Sequence, residues 1–383
     1  MKICILTPRF PIPENGGDVL RINNIARYLK SQGHKLLLIS FYEGKADVGE
    51  AGNLYDKIYL VKRNRFTSFF YSMLFFLYRR PIQCGYYHSL VFLKKLKNVI
   101  RMENPERFIA HLVRMAPYLE HENLYSVSTV ELTDALSKTY SMSSKAKKGF
   151  LKKTIYKVER GLISRYENHV VKTFSKVVVV SQADIDFIKQ RVHASSIVLH
   201  TNGVECLNTF PREYDSNKIC FIGNMRTLQN QDAVFHFVKH IFPIVLKFCP
   251  NSIFYIVGAE PSREITNLGN NKNIFVTGFV EDLAGAVSDS CLAVAPVKIA
   301  AGIQNKVLVA MGCGMPVVMT SLISKAIPEL CDGENCFICD DDESFANRCI
   351  EMMKNPILRN KVGNNGFNMV KTNYSWNEKL RGY

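Results

Sequence analysis

The sequence predicts an α/β protein with two doubly wound, Rossmann-like domains, each a parallel sheet covered by helices. Three observations lead to this prediction. Short apolar runs alternate with segments of helical periodicity along most of the 383 residues. The alternation pauses near residue 200 and then starts again. The chain is also longer than the usual ~100–200 residues of one domain.

The predicted strands are short and rich in aliphatic residues, as expected for parallel strands that are buried on both faces. In the first half they are residues 2–7, 35–41, 107–111, 125–130, 176–180 and 196–200. In the second half they are residues 218–222, 252–257, 273–276, 291–295, 316–320 and 335–338. We therefore expect one domain over residues 1–200 and a second over residues 201–372, with parallel sheets facing a central cleft.

The net charge of +15 is concentrated in the first half of the chain. Residues 1–200 contain 32 Lys and Arg against 16 Asp and Glu, whereas residues 201–383 contain 17 against 18. Such an excess indicates an anionic partner for the first half: a membrane surface, a phosphorylated substrate or nucleic acid. The basic residues are spread over many segments and form no nucleic-acid-binding motif, so we expect no nucleic acid partner.

The cysteine pattern and the apolar runs indicate a cytoplasmic protein. Most of the 11 cysteines lie singly in apolar segments, as in reduced proteins. Cys336 and Cys339 would lie on opposite faces of a strand, so we predict no metal site there. No secretory signal is evident, and the most apolar run, residues 69–77, is far shorter than the ~20 residues that span a bilayer.

Residues 62–80, KRNRFTSFFYSMLFFLYRR, place aromatic side chains between basic ends. A helix here would carry Phe69, Met73, Phe76 and Leu77 on one side. Such a helix fits a membrane interface, with Lys and Arg reaching the headgroups. A core helix with charged ends is the alternative.

The most informative segment is PVKIAAGIQNKVLVAMGCGMPVVMT, residues 296–320. It predicts a loop that ends at Gly302, a helix that begins with Ile303, Gln304, Asn305 and Lys306, and then a buried strand. The first-turn N–H groups of a helix carry partial positive charge and bind phosphate well. Lys306 adds a full charge, and Gly302 allows close approach of the backbone.

Two further turns belong to this prediction. Gly223 ends the first strand of the second half, and Arg226 follows it at the same sheet edge, where it and Lys306 would clamp a diphosphate. The turn containing Phe279 and Val280 follows a later strand, and its backbone groups could pair with a base edge.

Gly16 and Gly17 precede the first predicted helix without the G-x-G-x-x-G fingerprint, which argues against a dinucleotide-dependent dehydrogenase. A glycine pair at a helix N-terminus still allows a phosphate or sugar to approach. We assign Gly17 to the donor phosphate and Gly16 to the acceptor.

Polar residues end two strands of the first half. His111 ends one strand, Arg114 lies just beyond it, and Asp134 follows the next strand. We predict His111 and Asp134 as catalytic residues and Arg114 as an acceptor contact. The alternative for His111 is a structural role.

Taken in order, these segments resemble retaining glycosyltransferases of family 4, which have GT-B architecture, and especially the bacterial surface-polysaccharide type. The likeness runs nearly end to end through PRFPIPENGGDVLRINNIARYLKSQGHKLLLI, TNGV, FIGNM, VTGFVEDL, GIQNKVLVAMGCGMPVV and YSW. It implies a nucleotide-sugar donor held by the second domain, with Phe279 and Val280 near the nucleobase. It also implies that a last helix, at about residues 373–383, crosses back onto the first domain.

The resemblance further implies the reaction. A sugar would pass from the nucleotide-sugar to a lipid-linked saccharide acceptor in O-antigen or capsule synthesis, with retention and without a metal or other cofactor. The protein would act at the inner face of the cytoplasmic membrane.

Two departures from the family leave an alternative open. Ala301 and Val309 stand where the family usually carries glutamates, and a valine cannot accept a hydrogen bond from a ribose hydroxyl. Losing such a bond typically costs about 1–3 kcal/mol. Asn224 and Gln229 replace a basic pair of the family. The alternative is therefore a catalytically weak or inactive GT-B protein that serves a polysaccharide-synthesis complex.

Overall fold

The computed structural model describes residues 1–14, 16–44, 48–138, 140–141, 150–193, 195–206, 214–298 and 304–383. The chain forms two compact units. The first consists of Met1–Asn202 together with Leu380–Tyr383, and the second consists of Gly203–Lys379. Each unit has its own parallel sheet and its own hydrophobic core.

The first unit contains a seven-stranded parallel sheet in the order β3-β2-β1-β4-β5-β6-β7. Its strands are β1 Lys2–Thr7, β2 Lys35–Tyr42, β3 Lys57–Lys62, β4 Arg107–His111, β5 Ser128–Thr133, β6 Lys176–Val179 and β7 Ile197–Leu199. The central strand β1 pairs with β2 on one side and with β4 on the other. Chain connections leave β1 and β4 toward opposite edges, so their carboxyl ends flank a topological switch point.

Helices connect the strands of this unit. Those used below are α1 Gly17–Ser31, α2 Val48–Gly52, α3 Arg65–Leu77, α4 Ile82–Tyr86, α5 Leu90–Glu103, α6 Ala116–His121, α7 Phe150–Thr173 and α8 Gln182–Lys189. Helix α1 illustrates why they form, because it buries Ile22, Ile25, Ala26 and Leu29 at helical spacing.

The second unit repeats the doubly wound plan with six parallel strands in the order β10-β9-β8-β11-β12-β13. The strands are β8 Asp215–Ile222, β9 Ile253–Val257, β10 Ile274–Gly278, β11 Ser290–Ala295, β12 Val317–Met319 and β13 Phe337–Ile338. The helices are α9 Leu228–His236, α10 Phe242–Phe248, α11 Arg263–Asn267, α12 Leu283–Val287, α13 Asn305–Gly312, α14 Ser321–Ser324, α15 Asp342–Lys354, α16 Pro356–Asn373 and α17 Trp376–Lys379. Its switch point lies between β8 and β11.

The predicted α/β class with two parallel sheets is confirmed, but two local predictions are wrong. The sequence pattern predicts no strand between residues 41 and 107, yet β3 forms there at a sheet edge. An edge strand is only half buried, and β3 has one fully buried residue, Val61, so its apolar signal is weak. The strand predicted at residues 125–130 begins at Ser128, after the 3₁₀ turn Tyr125–Val127.

Candidate active site

The N-terminus of α13 lies at the carboxyl edge of the second sheet. The structure places the start of the helix at Asn305, with Gln304 as an extended N-cap residue, later than predicted. Gly302 and Ile303, together with Ala301, lie outside the described residues. Within the described part of the chain no side chain caps this helix end, and the N–H of Val307 donates to the carbonyl oxygen of Gln304 at 2.9 Å. The first turn of such a helix carries partial positive charge, which favours an anion.

Lys306 is the charged group at this helix end. Its Nζ donates a hydrogen bond to Oδ1 of Asn230 and lies 4.9 Å from the ring centroid of Phe221. Burial lowers the pKa of the Lys306 ammonium group to about 8. The Asn230 side chain is a neutral amide, so the partly desolvated charge of the Lys306 ammonium remains available to stabilise an anionic ligand.

The end of β8 is crowded, and this crowding requires glycine. A side chain at Gly223 would place its Cβ 2.7 Å from Nδ2 of Asn230. A Cβ at Gly258 would lie 1.8 Å from the carbonyl oxygen of Gly223. Asn230 also donates to the carbonyl oxygen of Asn224 at 2.8 Å. Gly223 therefore acts by letting Asn230 reach both this loop and Lys306.

Arg226 occupies a different environment from Lys306. Its side chain is largely exposed, and Nη1 lies 3.4 Å from a carboxylate oxygen of Glu260. The predicted clamp of Arg226 and Lys306 on one diphosphate stays a prediction, because Arg226 would first have to leave this ion pair.

The three residues predicted for the nucleobase and ribose lie on two elements of the second unit. Phe279 follows β10 with its ring exposed, and Val280 packs partly against the core. Val309 is half buried on α13, about one turn beyond Lys306. Their roles remain predictions.

The first unit has a cavity of about 560 Å³ at the carboxyl ends of β4 and β5 and the N-terminus of α1. It brings together sequence-predicted residues that are far apart in the chain: Gly17, Arg114 and Asp134. Arg9 and Tyr87 also line it, although the sequence analysis did not select them. Gly16 caps α1 with φ 107°, and a Cβ there would lie 2.8 Å from a guanidinium nitrogen of Arg9.

His111 is buried at the end of β4, beside this cavity. Among the described residues neither of its ring nitrogens has a hydrogen-bond partner. Burial is the main cause that lowers the pKa of His111 to about 3, and Arg21 and Arg114 lower it further. The imidazole is therefore neutral at physiological pH, with a donor and an acceptor both unused.

Arg114 and Asp134 bring opposite charges to the cavity. The guanidinium carbon of Arg114 lies 4.9 Å from the ring centroid of Tyr87, a cation–π contact that holds the side chain. Desolvation and the charge of Asp184 raise the pKa of the Asp134 carboxyl above its ordinary value. A carboxylate with a raised pKa is a better proton acceptor than an ordinary aspartate.

A buried ion pair that the sequence motifs did not predict lies beneath this edge. Arg21 Nε lies 2.6 Å from Glu131 Oε2, Arg21 Nη2 lies 3.2 Å from Oε1, and both side chains are fully buried. Arg21 Nη1 also donates to Asn202 Oδ1, which lines the cavity. The available signal was a glutamate inside the apolar strand STVELT, because a buried charge needs a partner.

Within the described residues no group of three or more His, Cys, Asp and Glu side chains is arranged to hold a metal ion. The acidic run that begins at Asp340 has another role. Asp341 caps α15, with Oδ1 accepting from the N–H of Ser344 at 2.8 Å. The expectation of a metal-independent reaction remains a prediction.

Comparison with known proteins identifies the class of the second unit. Residues 216–355 match the family model described as "Glycosyl transferases group 1". An uncharacterized 44.6 kDa protein in the cps region of Klebsiella pneumoniae is 24% identical to this chain. The alignment is 394 positions long, including gaps, and covers 97% of this chain and 96% of that protein.

Solved structures of two other proteins align with this chain over nearly its whole length. Anabaena Alr3699/HepE in complex with UDP aligns with a TM-score of 0.60 at 16% identity, covering 100% of this chain and 99% of the other. WaaG, a glycosyltransferase involved in lipopolysaccharide biosynthesis, aligns with a TM-score of 0.60 at 13% identity, covering 99% and 98%. The GT-B fold is thereby confirmed, and with the matched domain the chain is a glycosyltransferase.

Proposed function

We propose that this protein transfers a sugar from a nucleotide-sugar donor to a saccharide acceptor during assembly of a bacterial surface polysaccharide. The observation that carries the proposal is the glycosyltransferase match over the unit whose sheet edge presents Lys306 and a helix N-terminus that no described side chain caps. The cps-region relative and the UDP complex of the Anabaena protein favour this setting and this donor class.

The chemistry follows from where charge develops. The bond between the sugar anomeric carbon and the diphosphate oxygen breaks, and its electron pair stays on the diphosphate. The N–H groups at the start of α13 and the ammonium of Lys306 stabilise that charge, as an oxyanion hole does. The anomeric carbon gains oxocarbenium character, the acceptor hydroxyl oxygen bonds to it, and the hydroxyl proton leaves to a base. These groups supply positive charge without a metal ion.

The cavity of the first unit suits a phosphorylated acceptor. Arg9 and Arg114 line it, and guanidinium groups pair well with phosphate oxygens, although Arg9 would have to exchange its ion pair with Asp18 for the ligand. We propose a lipid-linked saccharide as the acceptor, with Asp134 as the proton acceptor and neutral His111 as a hydrogen-bond partner of the sugar. A retaining outcome and a site of action at the inner face of the cytoplasmic membrane complete the proposal.

The test is a titration of nucleoside diphosphates, beginning with UDP and GDP, monitored by calorimetry. Lys306→Ala should weaken binding of the preferred nucleotide about ten- to hundredfold, because a hydrogen bond to a charged group contributes about 1.5–3 kcal/mol. Lys361→Ala, which removes an exposed lysine of α16, is the matched control and should leave affinity unchanged. Equal affinities in all three proteins would overturn the assignment of Lys306.

A second candidate rests on Val309, which offers no acceptor to a ribose hydroxyl. In this alternative the protein binds donor weakly or not at all and acts as a partner in a synthesis complex. Sugar transfer from a radiolabelled donor to membrane extracts separates the two, since only the enzyme yields a lipid-extractable product.

A further inference from the structure

Helix α3 has its apolar and polar faces reversed relative to a helix of an ordinary soluble domain. Its buried side chains include Ser68 and Ser72, which are 2% and 9% exposed. Phe66 and Phe69 are 88% and 73% exposed. The exposed side also carries Phe70, Met73, Phe76 and Leu77, and Tyr78 follows directly. A soluble helix normally turns such a face toward its core.

Packing against α4 fixes this orientation. A Cβ at Gly85 of α4 would lie 2.5 Å from the carbonyl oxygen of Tyr71 and 2.8 Å from Cα of Ser72. The two backbones therefore meet through small residues, and Phe75 is the aromatic side chain of α3 that is buried. Asn64 caps the helix, with Oδ1 accepting from the N–H of Phe66 at 2.9 Å. The aromatic residues cannot turn inward without separating α3 from α4.

The charges within the segment that carries this aromatic face have one sign, although Glu43, outside the segment, forms ion pairs with Arg63 and Arg65. Residues 62–80 contain five basic residues and no Asp or Glu. Lys62, Arg63 and Arg65 stand at the beginning of the segment, and Arg79 and Arg80 stand at its end. Exposed aromatic residues between basic ends match the interface of a bilayer that contains anionic lipids.

The exposed patch continues onto a neighbouring helix of the same unit. Leu90 and Val91, at the start of α5, are both more than 60% exposed. They line a cavity of about 270 Å³ together with Lys62, Thr67 and Tyr71. The apolar surface is thus wider than one helix face, as expected of an interaction site.

The exposed patch is also connected, through neighbouring cavities, with the cavity of about 560 Å³ that we propose for the acceptor, called the acceptor cavity below. Arg63 lines both the cavity beside α3 and a middle cavity of about 380 Å³. Arg9 and Tyr87 line both this middle cavity and the acceptor cavity. The guanidinium of Arg63 lies over the rings of Tyr86 and Tyr87, at 4.6 Å and 5.1 Å. A chain of adjoining cavities with arginine in each therefore connects α3 with the acceptor cavity.

We propose that α3 lies in the interface of an anionic lipid bilayer, with Phe66, Phe69 and Phe70 among the acyl chains and Arg79 and Arg80 at the headgroups. A second copy of this chain is a poorer occupant, because it would bring a second set of the same positive charges. No helix among the described residues is long and apolar enough to cross a membrane, so α3 would lie along the surface. The proposal refines the membrane setting of the proposed function, and its test needs no catalysis.

The experiment is flotation of the full-length protein with vesicles. One set contains phosphatidylethanolamine and 30% phosphatidylglycerol, and the other contains phosphatidylcholine alone. We expect binding to the anionic set that decreases in high salt, and at least tenfold weaker binding to the neutral set. The triple variant Phe66→Ser/Phe69→Ser/Phe70→Ser should lose at least tenfold in binding to anionic vesicles.

A matched triple variant removes exposed apolar side chains elsewhere: Met102→Ser/Phe248→Ser/Ile357→Ser. It should bind vesicles as the wild type does. The α3 variant should keep the wild-type circular dichroism spectrum and nucleotide affinity, so a failure of docking is distinguishable from a failure of the donor assignment. Arg79→Gln/Arg80→Gln should reduce the preference for anionic vesicles.

Two results would overturn the proposal. One is wild-type vesicle binding by the α3 triple variant. The other is a concentration-dependent dimer in light scattering that the same variant converts to a monomer, since the occupant would then be a second copy. Insertion has a direct readout in Phe69→Trp made in a Trp376→Phe background, where indole emission should shift to shorter wavelength with anionic vesicles.

Discussion

The two units share one topology but treat charge at their sheet edges in opposite ways. In the first unit the deepest charge, Arg21, is neutralised by Glu131 within the protein. In the second unit the half-buried Lys306 donates to the neutral side-chain amide of Asn230. Removing one partner of a buried ion pair leaves a costly unpaired charge, whereas among the described residues no acidic group pairs with the Lys306 ammonium. This difference supports the proposal that the second unit holds the diphosphate.

The two edges also differ in how far apart their residues lie in the chain. In the first unit, Arg21 and Glu131 are 110 residues apart. In the second, residues 304–306 belong to one contiguous segment whose pattern predicts phosphate binding. A local pattern can be found from the sequence, and a long-range ion pair needs the fold.

The largest expected effect concerns the buried pair. Arg21→Met should lower the stability of the first unit by about 3–5 kcal/mol, because it leaves the Glu131 carboxylate buried and unpaired. The double variant Arg21→Met/Glu131→Leu should recover most of that loss, since no buried charge remains. Thermal unfolding of the three proteins measures both effects. A double variant as unstable as the single one would show that packing, not charge, is what Arg21 supplies.

The second prediction concerns acid sensitivity in the first unit. The folded protein keeps His111 neutral down to a pKa of about 3, while the unfolded chain binds a proton near pH 6.5. Stability is therefore complete above pH 6.5 and decreases as the pH falls toward 3. Between pH 7 and pH 5 the loss should be about 2 kcal/mol. Hydrogen exchange of the β1 and β4 amides at both pH values measures it.

His111→Gln is the test variant, because glutamine does not titrate. It should remove most of the difference in exchange between pH 7 and pH 5. A variant with the same acid sensitivity as the wild type would assign the effect to other groups.

The third prediction concerns the ribose contact in the second unit. Val309→Glu should raise affinity for the preferred nucleoside diphosphate about tenfold, because it supplies the missing hydrogen-bond acceptor. Val309→Leu, which adds bulk without an acceptor, is the control and should give no gain. Calorimetry measures the nucleotide affinity of both variants. An unchanged affinity in Val309→Glu would mean that other groups bind the ribose.

The smallest expected effect is a pH dependence in the same unit. The Lys306 pKa of about 8 means that its ammonium form is lost as the pH rises through that value. The charged form binds the diphosphate, so affinity should fall several-fold between pH 7 and pH 9. Lys306→Met should bind weakly at both values and lack this fall. An equal fall in the variant would place the titrating group elsewhere.

Much of the fold could be predicted because parallel strands buried on both faces are continuous apolar runs. The predicted bounds of β1 and β4 agree with the structure, since both strands are central. The edge strand β3 was missed because half of its surface faces solvent. In the candidate site, Lys306 and Gly223 follow from local motifs. Arg9 and Tyr87 do not, because only the fold brings residues 9 and 87 to the same cavity wall.

By itself, the sequence determined the alternation of strands and helices, the helix end that we propose as the phosphate site, and the basic first half. Those properties depend on the periodicity and composition of contiguous segments, which do not require knowledge of the fold. Only the tertiary structure decided that Arg21 neutralises Glu131, that Asn230 reaches Lys306, and that α3 turns its serines inward. These arrangements depend on which surfaces meet, and close approach of backbones, as at Gly85, selects among faces that periodicity alone leaves equivalent.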